Sequence, residues 1–193
     1  MKKQLLLFIL FLFPFCVNAQ LFVNNTTFTP ADLVQDVLLG DGVTVSNITF
    51  NGSAADANDF RDLAGYFTTG VTPTNLGLNA GVILATGNAQ LAIGPNPTNE
   101  GGKNFPSAHI QPGDSDLLML TTNSIASKAV LEFDFVPTGN QVKFRYIFAS
   151  EEYPEFTNNS FFNDVFGFFL SGPGISGPYS NNSINIAVLP TTD

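Results

Sequence analysis

One cysteine, no tryptophan, one histidine and seven lysine or arginine residues among 193 close off several chemistries at the outset. Cys16 sits inside an N-terminal apolar segment, and Phe15 precedes it where a lipoprotein cysteine usually follows a small residue. It is therefore assigned to that segment. The remaining domain then has no disulfide, no thiolate nucleophile and no cysteine metal site. An exported domain without such staples must stabilise itself through its core or through bound ions. His109 alone cannot build a zinc centre or supply an oriented triad base. Basic residues are too few and too scattered to hold a phosphate backbone, so nucleic acid and anionic membrane are poor partners.

What is present begins with Lys2 and Lys3, an unbroken apolar run over residues 5–13, and Val17-Asn18-Ala19. This order of basic, apolar and small residues is a secretory signal peptide, cut before Gln20. The run is too short to cross a bilayer. Removal of residues 1–19 takes the formal charge from −9 to −11, because two lysines leave with it. It also leaves enough chain, residues 20–193, for one domain with a real core. Charged residues make up only 12% of the sequence, while Asn, Thr, Gly and Ser abound. That is the profile of an extracellular β-protein.

Along the chain, Thr29-Pro30-Ala31-Asp32 reads as a helix start. Thr29 caps, Pro30 suits the first position and Asp32 complements the dipole. The helix carries Leu33, Val34, Val37 and Leu38 and stops at Gly40. Residues 43–50 alternate apolar and polar side chains and predict a half-buried strand ended by Asn51-Gly52. Residues 56–67 place Phe60, Leu63, Ala64 and Phe67 at helical spacing, so a loose helical turn is expected there. Residues 81–87 read as a buried strand between glycines. Residues 94–114 form a long Gly-, Pro- and Asn-rich loop, and a turn of helix follows near Asp116. Residues 129–136 alternate cleanly, with Leu131, Phe133 and Phe135 on one face. A turn at 138–140 then predicts a hairpin into 141–149. Two further strands are expected over 165–170 and 184–189. Phe133, Phe135, Phe144, Phe148, Phe166 and Phe168 are the expected interior phenylalanines.

Many short strands and few helices indicate an all-β fold, a β-sandwich or jelly-roll-like domain with one or two short peripheral helices. Residues 144–174 are the most distinctive part. Two apolar runs flank a segment carrying Glu151, Glu152 and Glu155, and Asp164 opens the second run. With amide oxygens from Asn158, Asn159 and Asn163, these acids offer hard oxygen ligands in a short span, which suits calcium. The spacing fits no EF-hand loop. Glu151 or Glu152 paired with Asp164 also sketches a carbohydrate-active hydrolase, although a chain without tryptophan lacks the usual sugar-stacking ring. Gly113-Asp114-Ser115-Asp116-Leu117 approaches an esterase motif with Ser115 as nucleophile, but the inserted Asp116 breaks it, and a cap on the next helical turn accounts for Asp114 or Ser115 more simply. The Asn-x-Ser/Thr triplets follow from an Asn-rich composition.

The stretches LEFDFVPTGNQVKFRYIFASEEYPEF, FNDVFGFFLSGPGI and NIAVLP, with GVILATG and DSDL before them, resemble the choice-of-anchor L domain family. The resemblance runs from about residue 31 to residue 190. It implies an exported bacterial surface protein, of a family frequent in Bacteroidetes-type organisms, with no assigned catalytic activity and held at the cell surface by a variable C-terminal signal. The family domain continues past the NIAVLP strand, so the chain is expected to be an incomplete N-terminal part of a larger surface protein, without its anchoring domain. The reading is thus non-enzymatic: adhesion to, or binding of, an extracellular glycan or protein, with a candidate calcium site at Glu151, Glu152, Glu155 and Asp164. The alternatives are a structural spacer or a carbohydrate hydrolase.

Overall fold

The computed structural model describes residues 21–40, 42–54, 62–70, 74–93, 113–150 and 164–188. The segment assigned to a signal peptide, the loop before residue 113, His109, and Glu151, Glu152 and Glu155 lie outside the described residues.

The described chain is built from short antiparallel strands. Strands β1 (Phe22–Asn24), β4 (Ala64–Thr68) and β5 (Ala80–Leu84) form one sheet in the order β1-β4-β5. Strands β2 (Thr44–Phe50), β3 (Ser53–Ala54) and β6 (Leu131–Val136) form a second in the order β3-β2-β6, and β7 (Phe169–Leu170) pairs with β8 (Ile184–Asn185). The class is all-β, as the composition and strand pattern predict.

A short helix near the start breaks the pattern. Helix α1 (Pro30–Asp32) starts with a full capping box: the Thr29 hydroxyl accepts from the Asp32 amide, and the Asp32 carboxylate accepts from the Thr29 amide at 2.8 Å. It runs on as a π-helical turn, Leu33–Leu38, closed by the Leu39 amide donating to the Val34 carbonyl at 3.0 Å. Leu33 and Val34 are wholly buried. Leu33 joins Phe50 of β2 with Leu63 and Ala64 at the start of β4, and Phe28, Val37, Tyr66, Val82, Ala129 and Leu131 pack around them. The core is therefore the place where the helix meets both three-stranded sheets.

Local chemistry fixes the register. Asn51 and Gly52 both have positive φ, 49° and 77°, between the pairs Phe50↔Ser53 and Thr49↔Ala54. This is the two-residue hairpin turn whose twist matches the strands. Asn51 also ties β2 to β6: its amide donates to the Val130 carbonyl at 2.8 Å and its side-chain oxygen accepts from the Val130 amide at 2.9 Å. Between Ser46 and Thr49 the β2–β6 pairing slips, and Asn47, at φ 53°, donates from its side chain to the Asp134 carboxylate at 2.6 Å. A β-bulge anchored by a polar cross-strand contact results. In the first sheet β1 crosses so close to β4 that a Cβ on Gly65 would stand 2.8 Å from the Asn24 carbonyl oxygen. The ring of Phe67 lies over its cross-strand partner Gly81.

Three expectations are corrected. The helical spacing of Leu63, Ala64 and Phe67 belongs to a strand: Ala64, Gly65 and Phe67 of β4 are all buried, so residues of both parities are covered and the two-residue period disappears. The hairpin from 129–136 into 141–149 is not formed as a ladder. β6 pairs with β2, and residues 141–150 run without strand pairing among the described residues. The phenylalanines expected in the interior are at best half-buried, and Phe148 is 55% exposed. The alternation of β6 does hold, with Leu131, Phe133 and Phe135 on its better-covered face.

Candidate functional site

Residues 144–148 and 164–168 lie side by side through their rings. Ring centroids are 4.8 Å apart for Phe144–Phe168, 5.4 Å for Tyr146–Phe166 and 6.1 Å for Phe148–Phe166. The order of partners is antiparallel, and alternate residues of each segment share the aromatic face. Phe144 and Phe168 are half-covered, whereas Tyr146, Phe148 and Phe166 are 48%, 55% and 36% exposed. The exposed rings lie at the end from which the chain departs at Ser150 and to which it returns at Asp164. That end of the aromatic face is next in sequence to the acidic residues singled out above.

Asp164 shares the parity of Phe166 and Phe168. Its surface is open to solvent, yet crowding by neighbouring protein atoms raises its carboxyl above the ordinary value of 3.8, through desolvation of the charged form. Of the four acids proposed as ligands it is the one within the described residues. Among those residues no three His, Cys, Asp or Glu side chains gather into a group that could hold a metal. The carboxylate pairs proposed for a hydrolase each include Glu151 or Glu152, so they too fall outside the described residues.

On the opposite face of residues 144–148, the Arg145 guanidinium donates to the Gly77 carbonyl at 2.6 Å. This contact ties the segment to the β4–β5 loop and walls a cleft of about 390 Å³ lined by residues 76–78 and 144–147. The extended chain thus has a cationic, aliphatic side and an aromatic side.

The esterase-like motif has a structural role. Asp114 accepts from the amides of Asp116 and Leu117 at 2.9 and 3.1 Å and caps helix α2 (Ser115–Leu118), with Ser115 exposed as its first residue. Asp116 in turn accepts from the amide and hydroxyl of Ser180, both at 2.9 Å, and so ties the turn before β8 to α2. The cap expected from Asp114 or Ser115 is thus Asp114, while the sequence reading places the functional weight on the carboxylates at 151–164. It missed the exposed rings, because alternation in 141–149 was taken to mean a covered face. The signal was present in the same pattern, since Lys143 and Arg145 show that the other face is polar and only one face was left to be buried.

A family model, the Choice-of-anchor L domain, matches residues 22–193. No curated protein and no solved structure matches the chain.

Proposed function

Because the chain belongs to the Choice-of-anchor L domain family, we propose that it is a non-catalytic module of the bacterial surface that adheres to, or binds, an extracellular protein or glycan. The observation that carries the reading is the aromatic face of Tyr146, Phe148 and Phe166, exposed in a row and next in sequence to an acidic stretch. Aromatic side chains grouped on an exposed surface mark sites of association. The test is adhesion of beads coated with the chain to an extracellular matrix or host-cell surface. The Tyr146→Ser/Phe148→Ser double variant should lose adhesion while keeping its melting temperature. Adhesion of the variant equal to that of the unaltered chain would move binding away from this face, and an unaltered chain that does not adhere would replace binding with the spacer reading.

Calcium at Glu151, Glu152, Glu155 and Asp164 belongs to the same proposal. A desolvated carboxylate such as Asp164 is costly to keep charged, and an adjacent cation offsets that cost. Thermal unfolding in millimolar calcium should give a higher midpoint than unfolding in excess chelator. Equal midpoints would remove the metal from the proposal. Export through residues 1–19 is checked by the N-terminal mass of the secreted chain, which should begin at Gln20.

A further inference from the structure

Away from that face, β1, β4 and the 3-10 turn Ala89–Ile93 border an open surface cleft of about 460 Å³. The register explains its lining. Phe22 pairs with Thr68 and Asn24 with Tyr66, so these four side chains stand on one face of the β1–β4 ladder. Phe28 leans its ring on Tyr66 at 5.3 Å, and Gln90 closes the side. Phe22 is 54% exposed and presents its ring to solvent.

The polar groups are pre-set by internal hydrogen bonds. The Gln90 side-chain nitrogen donates to Asn25 Oδ1 at 2.8 Å, which fixes the amide and leaves Oε1 as an acceptor. Asn24 Oδ1 accepts from the amides of Thr26 and Thr27, and one N–H of its side chain goes to Thr27 Oγ1; the second N–H is left. The Thr68 hydroxyl accepts from the Gly70 amide and keeps its own proton to donate. The cleft therefore combines one open aromatic ring, Phe22, and the half-buried rings of Phe28 and Tyr66 with fixed donors and an acceptor, and none of its lining residues carries charge.

We infer that this cleft binds a neutral saccharide. Sugar C–H faces stack on aromatic rings, while ring hydroxyls donate and accept at once and match mixed amide and hydroxyl groups. A charged sugar would find no counter-ion there, and an apolar ligand would strand the amides of Asn24 and Gln90 unpaired. The volume lies within the roughly 300–1,000 Å³ usual for small-ligand sites. With no tryptophan in the chain, Phe22 provides the open stacking ring, and the half-buried Phe28 and Tyr66 floor the cleft behind it.

The test is saturation-transfer NMR and calorimetric titration of the whole chain with cellobiose, N,N′-diacetylchitobiose and maltose, and with glucuronic acid as the charged control. At least one neutral disaccharide should bind and glucuronic acid should not. Phe22→Ala and Gln90→Ala should each weaken binding about tenfold or more, with the melting temperature held in Phe22→Ala and lowered in Gln90→Ala, which strips the buried Asn25 of its partner. Phe148→Ala should leave it unchanged. The inference is overturned if none of the neutral sugars binds at millimolar concentration, if glucuronic acid competes equally, or if binding ignores both substitutions. Adhesion that survives Phe22→Ala but fails in the Tyr146/Phe148 double variant separates this cleft from the aromatic face, so either reading can fall alone.

Discussion

Two regions of this chain use aromatic side chains in opposite ways. Phe50, 5% exposed, fills the ground between the helix and the two larger sheets, and Phe67, 7% exposed, is covered against Gly81 within its own sheet. Tyr146 and Phe148, 48% and 55% exposed, stand on an extended segment whose aromatic face meets the rings of the 164–168 segment. Both sets come from apolar, strand-like sequence. What separates them is whether another layer arrives to cover the face, and the helix supplies that layer in the first region. Alternation tells which side chains share a side, while burial is decided by contacts distant in sequence.

The comparison can be broken hardest at its packed end. Leu33→Ala should destabilise the chain by about 2–5 kcal/mol, because a wholly buried leucine leaves a cavity where three elements meet. Chemical denaturation gives this directly, and a loss below about 1 kcal/mol would mean the region collapses easily around the gap. Gly65→Ala should cost about 1–3 kcal/mol by forcing β1 away from β4, and should also disturb the sugar cleft. Thr29→Ala removes the cap and should cost about 1 kcal/mol, which lowers the melting midpoint by roughly 2–4 °C.

Acidity sharpens the contrast further. The Thr29 amide and hydroxyl hold Asp32 below its ordinary value of 3.8, so its contribution is present above that value and is lost as pH falls through the folded one. Asp164 is shifted the other way, above 3.8. Between 3.8 and its raised value the folded chain binds more protons than the unfolded chain, so stability falls as pH rises through that window. In chelator at neutral pH, Asp164→Asn should therefore raise the melting midpoint slightly, and Asp32→Asn should lower it. The smallest effect is expected from Phe148→Ala, under about 0.5 kcal/mol, since an open ring has little packing to lose.

The sequence made some elements legible because their signals are local. Thr29, Pro30 and Asp32 announced the helix start, Asn51-Gly52 the turn after β2, and the alternation of Leu131, Phe133 and Phe135 the face of β6. β4 was misread because a strand with buried residues of both parities has no two-residue period, and its Leu63, Ala64 and Phe67 happen to fall at helical spacing. β1 went unpredicted because three residues carry too little pattern. Of the candidate site, Asp164 and the two flanking runs were legible. The open rings were not, since nothing local says that Phe148 and Phe166 lack a cover. The cleft beside Phe22 was invisible for a related reason: it joins residues from β1, β4 and a 3-10 turn that only the register brings together.

The wide turn over Leu33–Leu38 has a consequence for how this chain tolerates change in length. A π turn holds one residue more than an α turn would need to span the same ends. Deleting the exposed Gln35 should let the turn tighten to α geometry while Leu33 and the capping box stay in place. The helix is thus a point where a one-residue indel is absorbed locally, so relatives of different length at this spot can keep the same core.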